Sequence, residues 1–141
     1  IIMKTKIIAE IGINHNGSLE VAKKLIDVAV ISGCDYVKFQ KRNPDLCVPE
    51  SEKTKKKVTP WGEMSYLEYK YKLEFGKKEF DEINSYCEEK KIGWFCSVWD
   101  KDSVDFMSNY ATSIDNQVKT VMKIPSALIT NDELIKYCRQ K

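Results

Sequence analysis

Hydrophobic and polar positions along this chain follow two periods, and these divide it into strands and helices. Short apolar runs of strand length cover residues 6–12, 36–41, 92–99 and 120–126. In the segments that follow them, apolar residues recur every three to four positions, which is the period of a helix. These predicted helices cover residues 19–32, 77–90, 100–110 and 130–141. The pattern therefore predicts four strand–helix units in succession.

Residues 42–59 interrupt this pattern. They are polar, contain prolines and are rich in lysine, so the sequence predicts a long surface loop there, followed by a short helix over 66–75. The stretch 109–123, before the fourth strand, is also longer than a simple connection requires.

Strands that are joined through helices run parallel, and parallel sheets occur in α/β proteins. Two architectures are compatible with the order of elements. One is an open doubly wound sheet that is complete in itself. The other is a (β/α)8 barrel of the TIM type, which usually needs about 250 residues. In that case the 141 residues would supply about the first four βα units only, a partial barrel.

The second strand, "YVKFQK", carries charge where a core residue is expected. Side chains alternate between the two faces of a strand, so Lys38 and Gln40 share one face with Tyr36. Val37 and Phe39 take the opposite face. The first face therefore holds an ammonium and an amide group beside apolar neighbours.

Polar side chains also come late in the other three strands. Glu10 follows an apolar run in the first strand, Ser97 in the third and Lys123 in the fourth. A single strand lysine can lie at a sheet edge or extend its ammonium to solvent. Polar groups at equivalent places in four units instead favour a ligand site, because such sites lie at the carboxyl ends of parallel strands.

The types of these residues indicate the chemistry of the ligand. A buried ammonium group needs a partner, and Glu10 can neutralise one of the two lysines. The remaining positive charge favours an anion such as a phosphate or a carboxylate. Ser97 and Ser126 add hydroxyl donors, and Gln40 can orient a water or a hydroxyl group. The sequence therefore predicts a small, anionic, oxygen-rich substrate.

Composition removes several other classes of function. The formal charge of +2 gives no reason to expect nucleic acid or a membrane surface as partner, and no apolar run is long enough to span a bilayer. No glycine-rich nucleotide motif occurs. The five cysteines are odd in number and widely spaced, which favours reduced thiols and a cytoplasmic protein. His15, the single histidine, is interpreted as a turn or hydrogen-bonding residue rather than a metal ligand.

Four stretches together resemble a known family. They are "IIAEIGINHNGS" (7–18), "DYVKFQK" (35–41), "WFCSVWD" (94–100) and "MKIPSALITNDELIKY" (122–137). In the same order they resemble the N-terminal part of sialic acid (N-acetylneuraminate) synthases. That family is a phosphoenolpyruvate-dependent (β/α)8 barrel followed by a small antifreeze-like domain. The resemblance implies that residues 1–141 form the N-terminal half of such a barrel, with the second half and the antifreeze-like domain absent.

The resemblance also implies a reaction and roles for particular residues. The family condenses phosphoenolpyruvate with an N-acetylated sugar such as N-acetylmannosamine, which gives a nine-carbon acid and phosphate. By resemblance, the catalytic residues are Glu10, Lys38 and Lys123, and the substrate-binding residues are Gln40, Ser97 and Ser126. The two lysines would contact phosphoenolpyruvate, and the glutamate would lie near the reacting carbons.

A divalent cofactor and a partner follow from the same resemblance. The family uses Mn²⁺ or Mg²⁺, held by histidines of the second barrel half, so no metal ligand is assigned in this chain. We expect a homo-oligomer, because a partial barrel leaves strand edges unpaired. Three alternatives stay open: a catalytically incomplete anion-binding module, a synthase for a related nonulosonic or spore-coat sugar, and a different phosphoenolpyruvate-condensing barrel that acts on a sugar phosphate.

Overall fold

A computed structural model describes residues 5–114 and 117–141 of the chain. The strands are β1 (Ile8–Gly12), β2 (Tyr36–Lys41), β3 (Lys56–Thr59), β4 (Gly62–Ser65), β5 (Gly93–Val98), β6 (Thr112–Ile114), β7 (Gln117–Lys119) and β8 (Met122–Lys123). The helices are α1 (Leu19–Ile31), α2 (Pro44–Cys47), α3 (Glu50–Lys53), α4 (Tyr66–Leu73), α5 (Lys77–Lys90), α6 (Lys101–Met107) and α7 (Asp132–Arg139). A single 3₁₀ turn covers Ser126–Leu128 within these ranges.

The central sheet has four parallel strands in the order β1, β2, β5, β8. Each strand therefore pairs with the one before it in this series. The register places Glu10 level with Lys38, and Gln40 level with Ser97. Ser97 is in turn level with Lys123. Residues that are level on neighbouring strands share a face, so all five lie on the same face of the sheet.

The helices pack on the opposite face. Val37 and Phe39 from β2 point toward them, as the alternation in the sequence predicts, and both side chains are fully buried. The same hydrophobic core contains residues of α1, α5, α6 and α7, among them Ile26, Ile83, Val104 and Leu134. A doubly wound sheet would need helices on both faces, whereas one covered face is the arrangement of a barrel wall.

Side-chain caps begin three of the helices that pack against the sheet. Ser18 caps α1 by accepting a hydrogen bond from the backbone N of Val21 at 3.3 Å. Asp100 caps α6 in the same way, and Asn131 caps α7. Each cap satisfies a backbone N–H group that has no partner inside its helix.

The prediction of a loop over residues 42–59 is wrong. This segment contains α2, α3 and β3, and β3 pairs with β4 in an antiparallel hairpin. Helix α4 follows at once and begins with a capping box, in which Ser65 and Glu68 exchange hydrogen bonds with each other's backbone N–H groups. Single-turn helices and short hairpin strands contain too few residues to show a periodic pattern. The polar, proline-containing composition alone therefore indicated a loop.

The fourth strand is shorter than predicted. It spans Met122–Lys123 rather than 120–126, because Pro125 cannot donate to a ladder and the chain turns into the 3₁₀ segment at Ser126. The long approach to this strand contains the β6–β7 hairpin, which the sequence analysis did not predict. Residues 115–116 lie outside the described part.

Within the described residues, no helix has the length and apolar character needed to cross a membrane. All five cysteines are unpaired, as predicted. Burial raises the pKa of the Cys87 thiol to about 12, and burial together with the Asp100 carboxylate raises that of Cys47 to about 12. These thiols are therefore protonated and poor nucleophiles at neutral pH.

Candidate active site

Lys38 is the centre of a polar cluster on the open face of the sheet. It is only 7% exposed, and its ammonium group donates to Oε1 of Glu10 at 2.9 Å and forms an ion pair with Oε2 at 2.7 Å. It also lies 2.5 Å from Oγ of Ser97. The prediction that Glu10 can neutralise one lysine is thus confirmed geometrically, and the pair is joined to a hydroxyl on the next strand.

The Lys38 side chain extends toward the carboxyl ends of the strands. Its Cα is level with Phe95, yet its Nζ reaches Ser97, two residues further along β5. Lys123 is level with Ser97 on the other side, on the same face. Neighbouring strands lie about 4.8 Å apart. Ser97 therefore stands between the two lysine-bearing strands, at the end of the sheet where ligands of parallel α/β folds bind.

The expectation of two buried ammonium groups is wrong for one of them. Lys123 is exposed, and among the described residues it makes no ion pair. It lies on the two-residue strand β8 at the edge of the sheet, where no further strand is paired within the described ranges. The Glu10 side chain is likewise 59% exposed, so the cluster opens to solvent on this face.

The two remaining predicted residues differ in their surroundings. Gln40 is level with Ser97, and its Nε2 is buried without a hydrogen-bond partner in the described part of the chain. Ser126 begins the exposed 3₁₀ turn three residues after Lys123. Its hydroxyl forms no hydrogen bond to the cluster within the described residues. The structure therefore brings Glu10, Lys38 and Ser97 into contact. Gln40 and Lys123 are level with Ser97 on the neighbouring strands, and Ser126 follows Lys123 closely in the chain.

Sequence reasoning missed a second ion pair at the same end of the sheet. Arg42 follows β2 and donates from Nε to Glu74 at 3.0 Å, with both side chains about nine-tenths buried. Burial raises the pKa of the Glu74 carboxyl, and the charges of Arg42 and Lys41 counter part of that rise. The Arg42 guanidinium also lies over the ring of Trp99, 5.9 Å from its centroid.

The alternation of the strands could have revealed two of these residues. Arg42 continues the series of Lys38 and Gln40 by one step beyond β2, and Trp99 continues that of Ser97 beyond β5. The backbone N of Trp99 donates to the Lys41 carbonyl at 3.2 Å, so the ladder persists past the assigned ends. The third residue, Glu74, follows no such alternation. It lies near the far end of residues 42–76, the long excursion of the chain between β2 and α5.

That excursion returns over the carboxyl ends of the first two strands. Lys41 donates to the Phe75 carbonyl at 2.8 Å, and the Phe75 ring stacks on His15 at 3.9 Å. Nδ1 of His15 accepts a hydrogen bond from the backbone N of Gly17 at 3.0 Å. Burial lowers the pKa of His15 to about 4, so the ring is neutral at pH 7. The interpretation of His15 as a hydrogen-bonding turn residue is supported by this contact.

Charge at this end of the sheet is not balanced. Lys38 is neutralised by Glu10, and Arg42 is neutralised by Glu74. Lys123 remains as one positive charge on the same face. No group of three histidine, cysteine or carboxylate side chains that could hold a metal ion occurs among the described residues. The arrangement can thus attract an anion, and the described side chains do not fit a metal.

Comparison with known proteins adds to this geometry. The sequence model of the NeuB family matches residues 25–141. The chain belongs to the NeuB family. It is 37% identical over 139 residues to the N,N'-diacetyllegionaminic acid synthase of Campylobacter jejuni. The matched region covers 94% of this chain and 38% of that protein. It is also 38% identical over 104 residues to the N-acetylneuraminate-9-phosphate synthase of Drosophila melanogaster. That match covers 72% of this chain and 28% of the Drosophila protein.

A solved structure resembles this NeuB family chain throughout. It is the N-acetylneuraminic acid (sialic acid) synthetase of Leptospira borgpetersenii in complex with citrate, with a TM-score of 0.78 at 26% identity. The match covers 98% of this chain and 42% of that chain. The predicted partial barrel of the TIM type and the resemblance to sialic acid synthases are thereby confirmed. The chain spans well under half the length of these relatives, and the division into barrel half and absent domains stays a prediction.

Proposed function

We propose that this chain supplies the phosphoenolpyruvate-binding part of a nonulosonic acid synthase, which condenses phosphoenolpyruvate with an N-acetylated sugar such as N-acetylmannosamine. The observation that carries the proposal is the common face of Lys38 and Lys123, with Ser97 between them at the carboxyl ends of the strands. Lysines and hydroxyls in this arrangement suit a phosphate or a carboxylate.

The charge of the site supports the choice of phosphoenolpyruvate. The Glu10–Lys38 pair is neutral as a unit, so the net attraction comes from Lys123. Lys38 and Ser97 then serve as fixed donors whose positions are already set before the ligand arrives. Donors that need no reorganisation stabilise developing charge more effectively than water does. The Leptospira relative was solved in complex with citrate, which is itself a carboxylate anion.

The proposed reaction joins two carbon atoms and releases phosphate. C3 of phosphoenolpyruvate attacks the aldehyde carbon of the open-chain sugar, and the aldehyde oxygen takes a proton. Water adds at C2, and phosphate leaves with the bridging oxygen. Lys38, Lys123 and Ser97 hold the phosphate and carboxylate during these steps, and Ser126 would contact the same substrate. In this proposal Glu10, which is held by the ammonium group of Lys38, acts near the reacting carbons, and Gln40 orients the water or a sugar hydroxyl.

The family's Mn²⁺ or Mg²⁺ would polarise the sugar aldehyde. Because the described residues offer no set of ligands for it, no step is assigned to this chain through the metal. We further propose that the protein acts in the cytoplasm. It would associate with further copies through the edges of the sheet at β1 and β8.

One observation favours a second candidate. The described residues offer no set of ligands for the metal, so the chain can be an anion-binding module that lacks turnover by itself. Phosphate release that depends on both phosphoenolpyruvate and an N-acetylhexosamine, with Mn²⁺ or Mg²⁺ present, separates the two candidates. Phosphoenolpyruvate binding without turnover would support the module.

Calorimetry on three variants tests the binding site directly. Lys38→Met and Lys123→Ala are expected to weaken phosphoenolpyruvate binding, for Lys38 by tenfold or more, because a hydrogen bond to a charged group contributes about 1.5–3 kcal/mol. Lys136→Ala is the matched control, since Lys136 is an exposed lysine on α7. Equal affinity of all three variants and the unaltered chain would refute the proposed site.

A further inference from the structure

The register between β1 and β2 shifts directly after Glu10. Glu10 is level with Lys38 on β2. The next aligned pair joins Gly12 to Phe39, so two steps along β1 match one step along β2, as in a β-bulge. Bulges are rare in parallel pairs, and they occur preferentially where a strand ends or where a side chain beside an active site is re-aimed. This bulge therefore calls for an explanation in terms of Glu10, the residue that it follows.

Gly12 has a backbone conformation that residues with a side chain adopt at a cost. Its φ is +54°, in the left-handed region, where a Cβ comes too close to the following carbonyl oxygen. One type of bulge has a glycine in this conformation. The backbone alone thus favours glycine at position 12, and the surroundings of its Cα add a second reason.

The Glu10 carboxylate occupies the space that a side chain at position 12 would need. A Cβ added to Gly12 would lie 3.1 Å from Oε1 of Glu10, which is closer than such atoms normally approach. The same Oε1 accepts the hydrogen bond from Nζ of Lys38 at 2.9 Å. The Glu10 side chain is 59% exposed, and within the described ranges no donor other than Lys38 holds it. The carboxylate can therefore be pushed away easily.

Both members of the ion pair extend along their strands toward the carboxyl end of the sheet. Nζ of Lys38 reaches Oγ of Ser97, two residues beyond the level of Lys38 itself. Oε1 of Glu10 lies beside Gly12, which is also two residues further along its strand. The carboxylate meets the ammonium group there because position 12 presents no side chain.

We propose that Gly12 is a positioning residue, which leaves room for the Glu10 carboxylate so that it stays paired with Lys38. A side chain at position 12 would displace the carboxylate toward solvent and leave the Lys38 ammonium group without its partner. Through this contact Gly12 sets how much positive charge the site offers to an anion. That consequence rests on the proposed function, whereas the contact between Gly12 and Glu10 is independent of it.

Urea denaturation in a double-mutant cycle tests the contact alone. Gly12→Ala adds backbone strain and the close approach to Glu10. The control Gly33→Ala adds strain only, because Gly33 has a φ of +74° and no atom lies within 4 Å of its added Cβ. We expect Gly12→Ala to lower the urea midpoint more than Gly33→Ala does, and to lose this excess in a Glu10→Ala background. An undiminished effect of Gly12→Ala in that background would overturn the inference.

Calorimetry with phosphoenolpyruvate tests the effect on the site. Displacement of Glu10 leaves the charge of Lys38 unbalanced, so we expect Gly12→Ala and Glu10→Gln each to bind phosphoenolpyruvate about threefold more tightly or better. The double variant is expected to bind no more tightly than Glu10→Gln. Loss of folded structure would lower the affinity instead, so a rise distinguishes positioning from damage. Gly12→Asn repeats both measurements with less strain, because asparagine tolerates positive φ.

The outcomes separate the positioning role from the proposed function. Unchanged or weaker phosphoenolpyruvate binding by both Gly12 variants would overturn the role of Gly12 while leaving the proposed function standing. So would an affinity that Gly12→Ala still raises when Glu10→Gln is present. Absence of phosphoenolpyruvate binding to the unaltered chain would instead refute the proposed function, and the urea cycle would still decide whether Gly12 makes room for Glu10.

Discussion

Protonation of His15 should destabilise the fold at mildly acidic pH. The side chain is 2% exposed, stacks on Phe75 and accepts a hydrogen bond from the backbone of Gly17. A proton on Nδ1 would both place a charge in this buried position and abolish the acceptor. Burial accordingly lowers the pKa from 6.5 to about 4.

The size of the effect follows from linkage. In the unfolded chain the imidazole binds a proton below pH 6.5, whereas in the folded chain it does so only near pH 4. Stability is therefore complete above pH 6.5 and falls as the pH decreases toward 4. A difference of one pKa unit is worth about 1.4 kcal/mol, which gives a loss of about 2.5 kcal/mol between pH 7.5 and 4.5.

Urea denaturation at these two pH values measures the loss. His15→Asn is the matched control, because an asparagine side chain can accept the same hydrogen bond in a turn but does not titrate. Its free energy of unfolding is expected to change much less over the same interval, although the lost stacking on Phe75 lowers it at both pH values. Parallel pH dependence in both proteins would show that other groups cause the loss.

Two further predictions concern the excursion that covers the site. An added Cβ at Gly17 would lie 2.1 Å from the Lys72 carbonyl oxygen, whereas one at Gly33 meets no atom within 4 Å; both residues have positive φ, +72° and +74°. We expect Gly33→Ala to cost about 1 kcal/mol of stability and Gly17→Ala at least 2 kcal/mol more. If the two variants unfolded at the same temperature, the close approach of Gly17 to the Lys72 carbonyl would be contradicted. Glu74→Ala should cost about 3 kcal/mol, because it leaves a buried guanidinium unpaired. The double variant Arg42→Met/Glu74→Leu should recover part of this in urea denaturation, and no recovery would rule out the unpaired charge as the cause.

The polar face of the sheet was predictable because strand alternation is strict. Once Val37 and Phe39 are assigned to the core, Lys38 and Gln40 must point the other way. Parallel pairing then aligns Gln40 with Ser97 and Ser97 with Lys123 at one end. The catalytic and binding roles of these residues stay predictions, since geometry alone assigns no reaction.

The exposure of Lys123 and the partner of Arg42 were not predictable in the same way. Exposure depends on what covers a strand from outside, and β8 lies at an edge of the sheet. Glu74 reaches Arg42 across 32 positions of chain, through an excursion whose short elements have no readable period. Long-range partners of this kind depend on tertiary packing rather than on local sequence preference.

The strands occupy the sheet in the same order as in the chain, each beside its predecessor. During synthesis on the ribosome, each strand of this sheet after the first thus finds its pairing partner already present. The first two strands and α1 can join before the last strand has been translated. Growth of the sheet can then proceed from the amino to the carboxyl end, while side-chain contacts such as that of Arg42 with Glu74 form once the later segment has emerged.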